Sequence, residues 1–322
     1  MKKIFWRSKE NELPPSDADF FIQPFRGERI PFKPEILSSL PLPSLPIPVI
    51  SRVDSPTKKE WICAVEKALL QIKQGLLQKV VLARQTTFTF AEAPDPFQVL
   101  AALEKKAKGA ALFCLQFDRN TSFLGASPER LFQRKGKEIL FDAIAGTREK
   151  GPEMGPEMGQ ELLSSEKDLR EFQFVQDYLD ETLHPFCREQ LTFSKLALHN
   201  SANVQHLFSQ GKGVLNEETS DRDLLEKLHP TPAVCGTPKK LATEWIQAEE
   251  PFDRNFYSGV IGWSTQDSSD WTVAIRSCFL TNKTAQLYTG TGIVAGSDPE
   301  KEWDELEAKL ALYEEIFPCG HL

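Results

Sequence analysis

The chain reads VIGWSTQDSSDWTVAIRSCFLTNKTAQLY from Val260 to Tyr288. Its β-branched and aromatic segments at 260–263, 271–280 and 286–288 predict three successive antiparallel strands. Elsewhere, further strands are interspersed with amphipathic helices, without the strict β-α-β alternation of a Rossmann sheet. The pattern predicts an α+β fold built in layers.

The first 57 residues differ from the rest in their density of proline, which breaks helices and blocks central strands. We interpret residues 1–57 as a proline-rich leader extended along a larger body, and residues 58–318 as the folded domain. The duplicated GPEM at 151–158 predicts an exposed loop. Predicted helices lie at 61–76, 97–108, 160–183 and 299–317, and further strands at 20–22, 79–82, 111–117, 121–126, 139–144 and 196–200.

Composition limits the class of protein. With 322 residues, 40% apolar residues and a net charge of −8, the chain is neither disordered nor a disulfide-stapled miniprotein. No apolar run reaches the roughly 18 residues of a membrane span, so we expect a cytoplasmic protein with no membrane partner. The acidic balance argues against nucleic-acid binding, and six dispersed cysteines indicate reduced thiols.

Charged residues interrupt the apolar face of the last predicted helix. Glu302 and Lys309 share one stripe with Leu306 and Tyr313, and Glu305 lies four residues before Lys309. One interpretation is a surface pair that stabilises the helix by about 0.2–0.5 kcal/mol. The other is a helix that directs acidic and basic groups into a polar cavity.

The long helix predicted at 160–183 has the same irregularity, because Glu171 falls within its apolar arc and Asp168 lies one turn earlier. A buried carboxylate needs a cation, hydrogen-bond donors or a metal. Two helices, each with an acidic pair three residues apart, offer oxygen ligands of the kind that Mg²⁺ prefers. Acids at the edge of the core, capped by arginine, are the alternative.

Two charged residues flank predicted strands. Lys79 opens the strand at 79–82, and Glu129 follows the strand at 121–126. A lysine whose pKa is lowered by burial can act as a base, and a glutamate whose pKa is raised can act as an acid. Taken singly, each is also compatible with a solvated charge at a strand end.

Together these segments form an ordered series of motifs that resembles the chorismate-utilising enzymes, and among them the isochorismate synthases most closely. The resemblance covers residues 61–317 and implies two packed antiparallel β-sheets with helices outside. The motifs are Lys79-Val-Val-Leu-Ala-Arg84, Gly125-Ala-Ser-Pro-Glu-Arg-Leu131, Ala145-Gly-Thr-Arg148, Ser165-Glu-Lys-Asp-Leu-Arg-Glu171, Asn203-Val-Gln-His-Leu207, Leu228-His-Pro-Thr-Pro-Ala-Val234, Gly236-Thr-Pro238, Glu250-Pro-Phe-Asp-Arg-Asn-Phe-Tyr-Ser-Gly259, Gly262-Trp263, Ile275-Arg276, Gly290-Thr-Gly-Ile-Val-Ala-Gly296 and Glu302-Trp-Asp-Glu-Leu-Glu-Ala-Lys309.

The resemblance also implies a site. Lys79 would activate water for attack at C2 of chorismate, and Glu129 would protonate the departing C4 hydroxyl. Glu171 and Glu305 would bind Mg²⁺, with Asp168 and Glu302 nearby. Residues that would bind the substrate are Gly146, Thr147, His229, Ala233, Arg276, Gly290, Thr291, Gly292 and Lys309.

Other members of the family remain open as alternatives. Members that transfer ammonia would carry a non-basic residue at position 79, so we expect no obligate glutaminase partner. Nothing in the sequence suggests a coiled coil, and we expect a monomer. Salicylate synthases share the lysine and the glutamate, but tend to carry a hydroxyl side chain where Ala233 stands here. A protein that binds chorismate without catalysis is a further alternative.

The sequence departs from the family pattern in two places. The N-terminal part is short and reduced to a remnant in residues 1–57. The motif that usually reads Arg-Pro-Arg-Gly after Thr147 is Arg148-Glu-Lys-Gly151 here.

Overall fold

The computed structural model describes residues 3–43, 47–149, 156–200 and 204–318. The helices are α1 Lys58–Lys73, α2 Pro96–Lys106, α3 Pro156–Ser164, α4 Glu166–Leu183, α5 Asp221–Leu228, α6 Lys239–Glu249 and α7 Pro299–Glu314. The strands are β1 Lys3–Arg7, β2 Asp19–Gln23, β3 Ile30–Phe32, β4 Glu35–Ile36, β5 Val49–Ser55, β6 Lys79–Phe90, β7 Ala111–Gln116, β8 Thr121–Ser127, β9 Arg130–Lys135, β10 Glu138–Glu149, β11 Thr192–Phe193, β12 Ala197–Asn200, β13 Val204–Val214, β14 Gly236–Thr237, β15 Val260–Ser264, β16 Ser268–Val273, β17 Ser277–Thr281 and β18 Thr284–Val294.

Sheet I has the strand order β14-β6-β18-β17-β8-β7-β1-β4, with β5 paired to β6. Its longest pairing joins β6 to β18 over their whole length, from Thr284 opposite Thr89 to Val294 opposite Lys79. Strand β17 pairs with β18 only as far as Leu287. Beyond that residue, the second edge of β18 pairs with no described strand.

Sheet II has the order β11-β13-β10-β9-β16-β15-β2-β3, with β12 paired to β13. Strands β10 and β13 pair along their length, and a bulge interrupts the register between Ala145 and Thr147. Gly146 occupies the bulge with a φ of +66°, and a Cβ atom there would lie 3.1 Å from Asp168 Cβ. Glycine therefore suits this position in both conformation and space.

The two sheets pack face to face through apolar side chains of both, such as Trp6 and Phe113 of sheet I and Phe20 and Ile261 of sheet II. Helices α2 and α7 cover sheet I, and α4 and α5 cover sheet II. Two antiparallel sheets with helices outside are the predicted fold, which is confirmed; one parallel pair, β1 with β4, adds to it.

The predicted strand at 271–280 is two strands, and this part of the prediction was wrong. Residues 268–273 form β16 in sheet II, and residues 277–281 form β17 in sheet I. Arg276, between them, has a φ of +51°, a conformation that ends the extended strand. The chain crosses from one sheet to the other here.

The predicted helix at 160–183 is likewise two helices, α3 and α4. The side chain of Ser165 accepts a hydrogen bond from the Asp168 N–H and starts α4 as an N-cap. The duplicated GPEM lies outside the described residues as far as Gly155, and its last three residues begin α3.

The first 57 residues contribute strands to both sheets. Strand β1 pairs with β7 in sheet I, and β2 pairs with β15 in sheet II. The sequence analysis identified 20–22 but missed the strand Lys3–Arg7, whose Ile4, Phe5 and Trp6 are fully buried. This segment is part of the core between the sheets.

None of the helices in the described ranges is long and apolar enough to cross a membrane. The five described cysteines are free thiols, as the sequence predicted for them; Cys319 lies outside the described residues.

Candidate active site

A cavity lies where the strand ends of both sheets meet α4 and α7. Ten of the residues predicted for the site line it, among them Glu129, Ala233 and Arg276. The lining consists of Val81, Pro128, Glu129, Ile144, Ala145, Gly146, Thr147, Glu171, His206, Ala233, Val234, Tyr257, Ile275, Arg276, Tyr288, Thr289, Gly290, Thr291, Gly292 and Lys309.

Lys79 reaches this cavity through Glu171. It is the first residue of β6, it is completely buried, and its Nζ lies 3.1 Å from Glu171 Oε1. Gly292, on the adjacent strand β18, leaves room for this pair, because a Cβ atom there would lie 2.2 Å from Glu171 Oε1 and 2.9 Å from Lys79 Cε. Glycine at position 292 is thus a packing requirement of the ion pair.

Glu129 lies in the turn between β8 and β9 and is 4% exposed. Its N–H donates to Ser127 Oγ at 3.2 Å, and its carbonyl oxygen accepts from the Val273 N–H at 3.1 Å. Burial and the nearby Asp142 charge raise the pKa of Glu129 to about 8, against the opposing charges of Lys79 and Lys9. The side chain therefore carries a proton at neutral pH.

The two glutamates of α7 converge on one hydroxyl. Thr291 Oγ1 lies 2.6 Å from Glu302 Oε2 and 2.9 Å from Glu305 Oε1, so its single proton is donated to one of them. Burial beside Glu305 raises the pKa of Glu302. Burial also acts on Glu305, but the ammonium groups of Lys309 and Lys167 outweigh it and lower the pKa of Glu305.

Each of the four acidic residues predicted in and around the metal site contacts a basic side chain. Lys167 Nζ lies 2.5 Å from Glu302 Oε1, and Lys309 Nζ lies 2.6 Å from Glu305 Oε1. The remaining pairs are Lys79 with Glu171 at 3.1 Å and Arg148 with Asp168 at 2.5 Å. We call these four ion pairs the paired wall, and its formal charges cancel.

Arg276 is the cation of the cavity that has no such partner. Burial lowers the pKa of its guanidinium to about 10. Its carbonyl oxygen accepts hydrogen bonds from the Tyr313 hydroxyl at 2.9 Å and the Ala126 N–H at 3.1 Å, which hold the backbone in place. Its guanidinium forms no ion pair with any described carboxylate, so it is available to an anion.

Three aromatic or imidazole side chains in the lining were not predicted as site residues. His206 Nδ1 lies 3.1 Å from Thr147 Oγ1, and burial lowers its pKa well below the usual range, which makes it a neutral imidazole. Tyr257 stacks on Tyr288 with ring centroids 5.0 Å apart. His206 and Tyr257 both fall within motifs quoted above, so the signal was present in the sequence.

His229 does not lie in the cavity lining, contrary to the expectation for this residue. Its Nε2 is 3.3 Å from the Pro24 carbonyl oxygen, and burial lowers its pKa to about 4. Ala233, five residues after the end of α5, is the part of this motif that reaches the cavity. The neutral ring of His229 instead contacts the N-terminal segment.

The donor set of the paired wall fits a hard divalent cation. The described residues contain no group of three or more His, Cys, Asp or Glu side chains in a metal-binding arrangement. Mg²⁺, however, commonly takes one or two carboxylates and completes its shell with water and substrate. Partial burial lowers the pKa of the half-buried Lys167, but Glu302, Glu171 and Glu305 together raise it above its usual value, so this wall stabilises a positive charge.

Comparison with known proteins identifies the family of the chain. The family model "Chorismate binding enzyme" matches residues 36–316. Isochorismate synthase 2 of Arabidopsis thaliana chloroplasts is 38% identical over 275 residues, which are 84% of this chain and 49% of that protein. Isochorismate synthase MenF of Bacillus subtilis is 37% identical over 265 residues, which are 81% of this chain and 56% of that protein.

A solved structure extends the similarity to the whole fold. The crystal structure of DhbC from Bacillus anthracis, a candidate isochorismate synthase specific for 2,3-dihydroxybenzoate, has a TM-score of 0.83 at 32% identity. It covers 93% of this chain and 83% of that one. The matched part of this chain spans about half the length of the Arabidopsis and Bacillus subtilis relatives. The fold, the cavity and these similarities place the chain in the chorismate binding enzyme family.

Proposed function

We propose that the protein is an isochorismate synthase, which isomerises chorismate to isochorismate. The observation that carries this proposal is that Glu129 lines the cavity while the buried Lys79 lies directly behind the lining, against Glu171. Glu129 keeps its proton at neutral pH, since its pKa is about 8, and Lys79 is a buried amine. A base and an acid at one cavity suit a reaction in which one hydroxyl enters and another leaves. The names of the relatives point the same way.

In the proposed reaction, Lys79 first releases to solvent the proton that it holds in the ion pair with Glu171. The free amine then removes a proton from a water molecule as the water oxygen bonds to C2 of chorismate. The C1–C2 double bond shifts to C1–C6, and the C5–C6 double bond shifts to C4–C5. The C4–O bond breaks, and Glu129 donates its proton to the departing hydroxyl, which leaves as water. One water molecule is consumed and one released, so the reaction is an isomerisation.

The two carboxylates of chorismate require cationic or N–H partners. Arg276 suits one of them, because its buried guanidinium has no carboxylate partner among the described residues. Residues 290–292 of β18 lie beyond Leu287, where the second edge of this strand pairs with no described strand, so free backbone N–H groups on this edge can bind an anion. The positive-φ bulge at Gly146 brings the backbone of 146–147 to the same cavity. Lys309 also lines the cavity, and its ammonium donates hydrogen bonds to the Gly290 carbonyl oxygen and to Glu305.

Mg²⁺ belongs to the same proposal, with Glu171 and Glu305 as its ligands and Glu302 and Asp168 nearby. When bound, the ion would neutralise and orient a substrate carboxylate. Charge balance supports this pairing of ion and substrate. The four ion pairs of the wall cancel, so a divalent cation and a dianionic substrate enter together without leaving a net charge behind.

The test is to incubate the purified protein with chorismate and Mg²⁺, with and without EDTA, and to separate the products by HPLC. We expect isochorismate in the presence of Mg²⁺ and its loss with EDTA. Unchanged chorismate would refute the enzymatic proposal, and turnover that is indifferent to EDTA would refute the role of the metal. Salicylate and pyruvate as the main products would show a salicylate synthase instead. The variant Lys79→Met is the inactive control.

A further inference from the structure

Lys9 belongs to the N-terminal segment but reaches the interior of sheet II. Its Nζ lies 2.5 Å from Asp142 Oδ2, and the Asp142 side chain is completely buried while that of Lys9 is 11% exposed. The ammonium also lies 5.5 Å from the centre of the Phe208 ring. Lys9 precedes the residues 36–316 that match the family model.

Asp142 in turn contacts the backbone that carries Glu129. Its Oδ2 accepts a hydrogen bond of 3.3 Å from the N–H of Arg130, the peptide group that directly follows Glu129. The other two backbone groups of Glu129 are bound by Ser127 and Val273. Asp142 therefore supplies the third hydrogen bond that fixes this turn, and Lys9 is the cation that contacts its carboxylate.

The position of Lys9 is itself well defined. A tight turn follows β1, in which the Ser8 N–H donates to the Glu12 carbonyl at 2.9 Å and the Asn11 N–H donates to the Ser8 carbonyl at 3.0 Å. The next residue, Glu10, pairs with the Arg130 guanidinium. Two successive residues of one turn thus contact the residues that surround Glu129: Lys9 contacts Asp142, and Glu10 contacts Arg130.

We propose that Lys9 is a positioning residue for Glu129, acting through Asp142. The N-terminal segment then does more than complete the sheets, because it supports the residue that donates the proton. This inference rests on the proposed function for the role of Glu129, but its geometric part concerns only the described contacts.

The charges that act on Glu129 determine the signs of the test. Asp142, from β10, raises the pKa of Glu129, whereas Lys79 of β6 and Lys9 lower it. Arg276 and Glu171 are the other charged side chains of the cavity lining besides Lys309, and His206 is neutral there. Removing Lys9 leaves Asp142 beside Arg130, so its negative charge acts on Glu129 with less compensation. Removing the Asp142 charge has the opposite effect.

The experiment measures kcat and KM against pH for Lys9→Met, Lys9→Arg and Asp142→Asn. We expect Lys9→Met to lower kcat by about tenfold or more with little change in KM, because small displacements of a catalytic group are costly. The alkaline limb of the kcat–pH profile moves to higher pH in Lys9→Met and to lower pH in Asp142→Asn, each by roughly one pH unit. Lys9→Arg restores the wild-type profile. Lys3→Met is the matched control, since Lys3 lies on the same segment in an exposed pair with Glu35.

Limbs that stay in place, or that move in the same direction in both variants, would overturn the proposal. So would a loss of activity in Lys9→Met explained fully by a lower fraction of folded protein in thermal unfolding. A wild-type protein without turnover refutes the proposed function instead. In that case the pKa of Glu129 is read without turnover, from the pH dependence of the difference in unfolding free energy between wild type and Glu129→Gln. This pKa must rise in the Lys9→Met background, and an unchanged pKa would refute the inference.

Discussion

Two groups of carboxyl side chains lie at or behind the cavity lining, to which Glu129 and Glu171 belong, and they differ in what surrounds them. The four of the paired wall each contact a lysine or arginine. Glu129 contacts no basic side chain among the described residues, and burial with the Asp142 charge moves its pKa from an ordinary 4.5 to about 8. The same chemical group thus has a basic partner in the paired wall and keeps a proton at Glu129.

The strongest test of this comparison removes the acidic proton of Glu129 without changing the shape of the side chain. Glu129→Gln keeps the size and neutrality of the side chain but cannot donate a proton as an acid, so we expect kcat to fall by about 10²-fold or more. The kcat of Lys79→Met should fall by a comparable factor, since this variant lacks the proposed base. Steady-state kinetics with HPLC detection measures both.

Glu138→Gln is the matched control, because Glu138 is an exposed residue of β10 in the same sheet as the cavity wall. Its kcat should equal that of wild type. Wild-type turnover in Glu129→Gln would contradict the assignment of the acid.

The pH profile sharpens the same contrast. The role proposed for Glu129 requires its protonated form, and its pKa is about 8. Activity should therefore be retained below that pH and fall by about tenfold per unit above it. If a variant of Glu129 that keeps some activity shows the same alkaline limb, then the limb reports the titration of another group.

The paired wall is tested by Glu305→Gln. Lys309 and Lys167 keep Glu305 ionised, since they lower its pKa, and the variant removes that charge from the proposed metal site. We expect the Mg²⁺ concentration for half-maximal activity to rise by about tenfold, in the range reported for changes around metal ligands. The control is Glu300→Gln, because Glu300 lies on the same helix as Glu305 and forms an exposed pair with Lys58 of α1. Equal Mg²⁺ titrations for both variants would contradict the ligand assignment.

The smallest expected effect is on stability, where Glu129 and Glu305 should differ in the sign of their pH dependence. Because the native state keeps the Glu129 proton that the unfolded chain releases above pH 4.5, wild type loses stability relative to Glu129→Gln as pH rises from 4.5 to about 8. Glu305 has a lowered pKa, so its contribution is present above the ordinary value of 4.5 and is lost as pH falls below it. Urea unfolding at several pH values measures both differences, and equal signs would refute the contrast.

The sequence predicted the layered α+β fold because strand and helix periodicities are local. It could not predict where strands change sheets. Residues 271–280 are apolar or β-branched almost throughout, and the change of sheet occurs at Arg276, whose φ of +51° has no glycine or proline to announce it. The break before α4 did have a signal, the N-cap Ser165, which the apolar periodicity on both sides obscured.

The site was predicted to the extent that charge patterns and motifs identify residues. Glu302 and Glu171 were recognised because a carboxylate on an apolar helix face is anomalous. Which cation neutralises each of them depends on contacts between distant elements, such as Lys167 with Glu302, 135 positions apart. For the same reason the sequence could not place Lys9 beside Asp142 or direct His229 towards Pro24.

The central claim is that Lys79 and Glu129 exchange one hydroxyl of chorismate for a hydroxyl taken from water. The most direct measurement is the reaction in oxygen-18 water, followed by mass spectrometry of the isochorismate formed. We predict one labelled oxygen, located at C2. Isochorismate that carries no label would contradict the account, because its hydroxyl would then have migrated within the substrate.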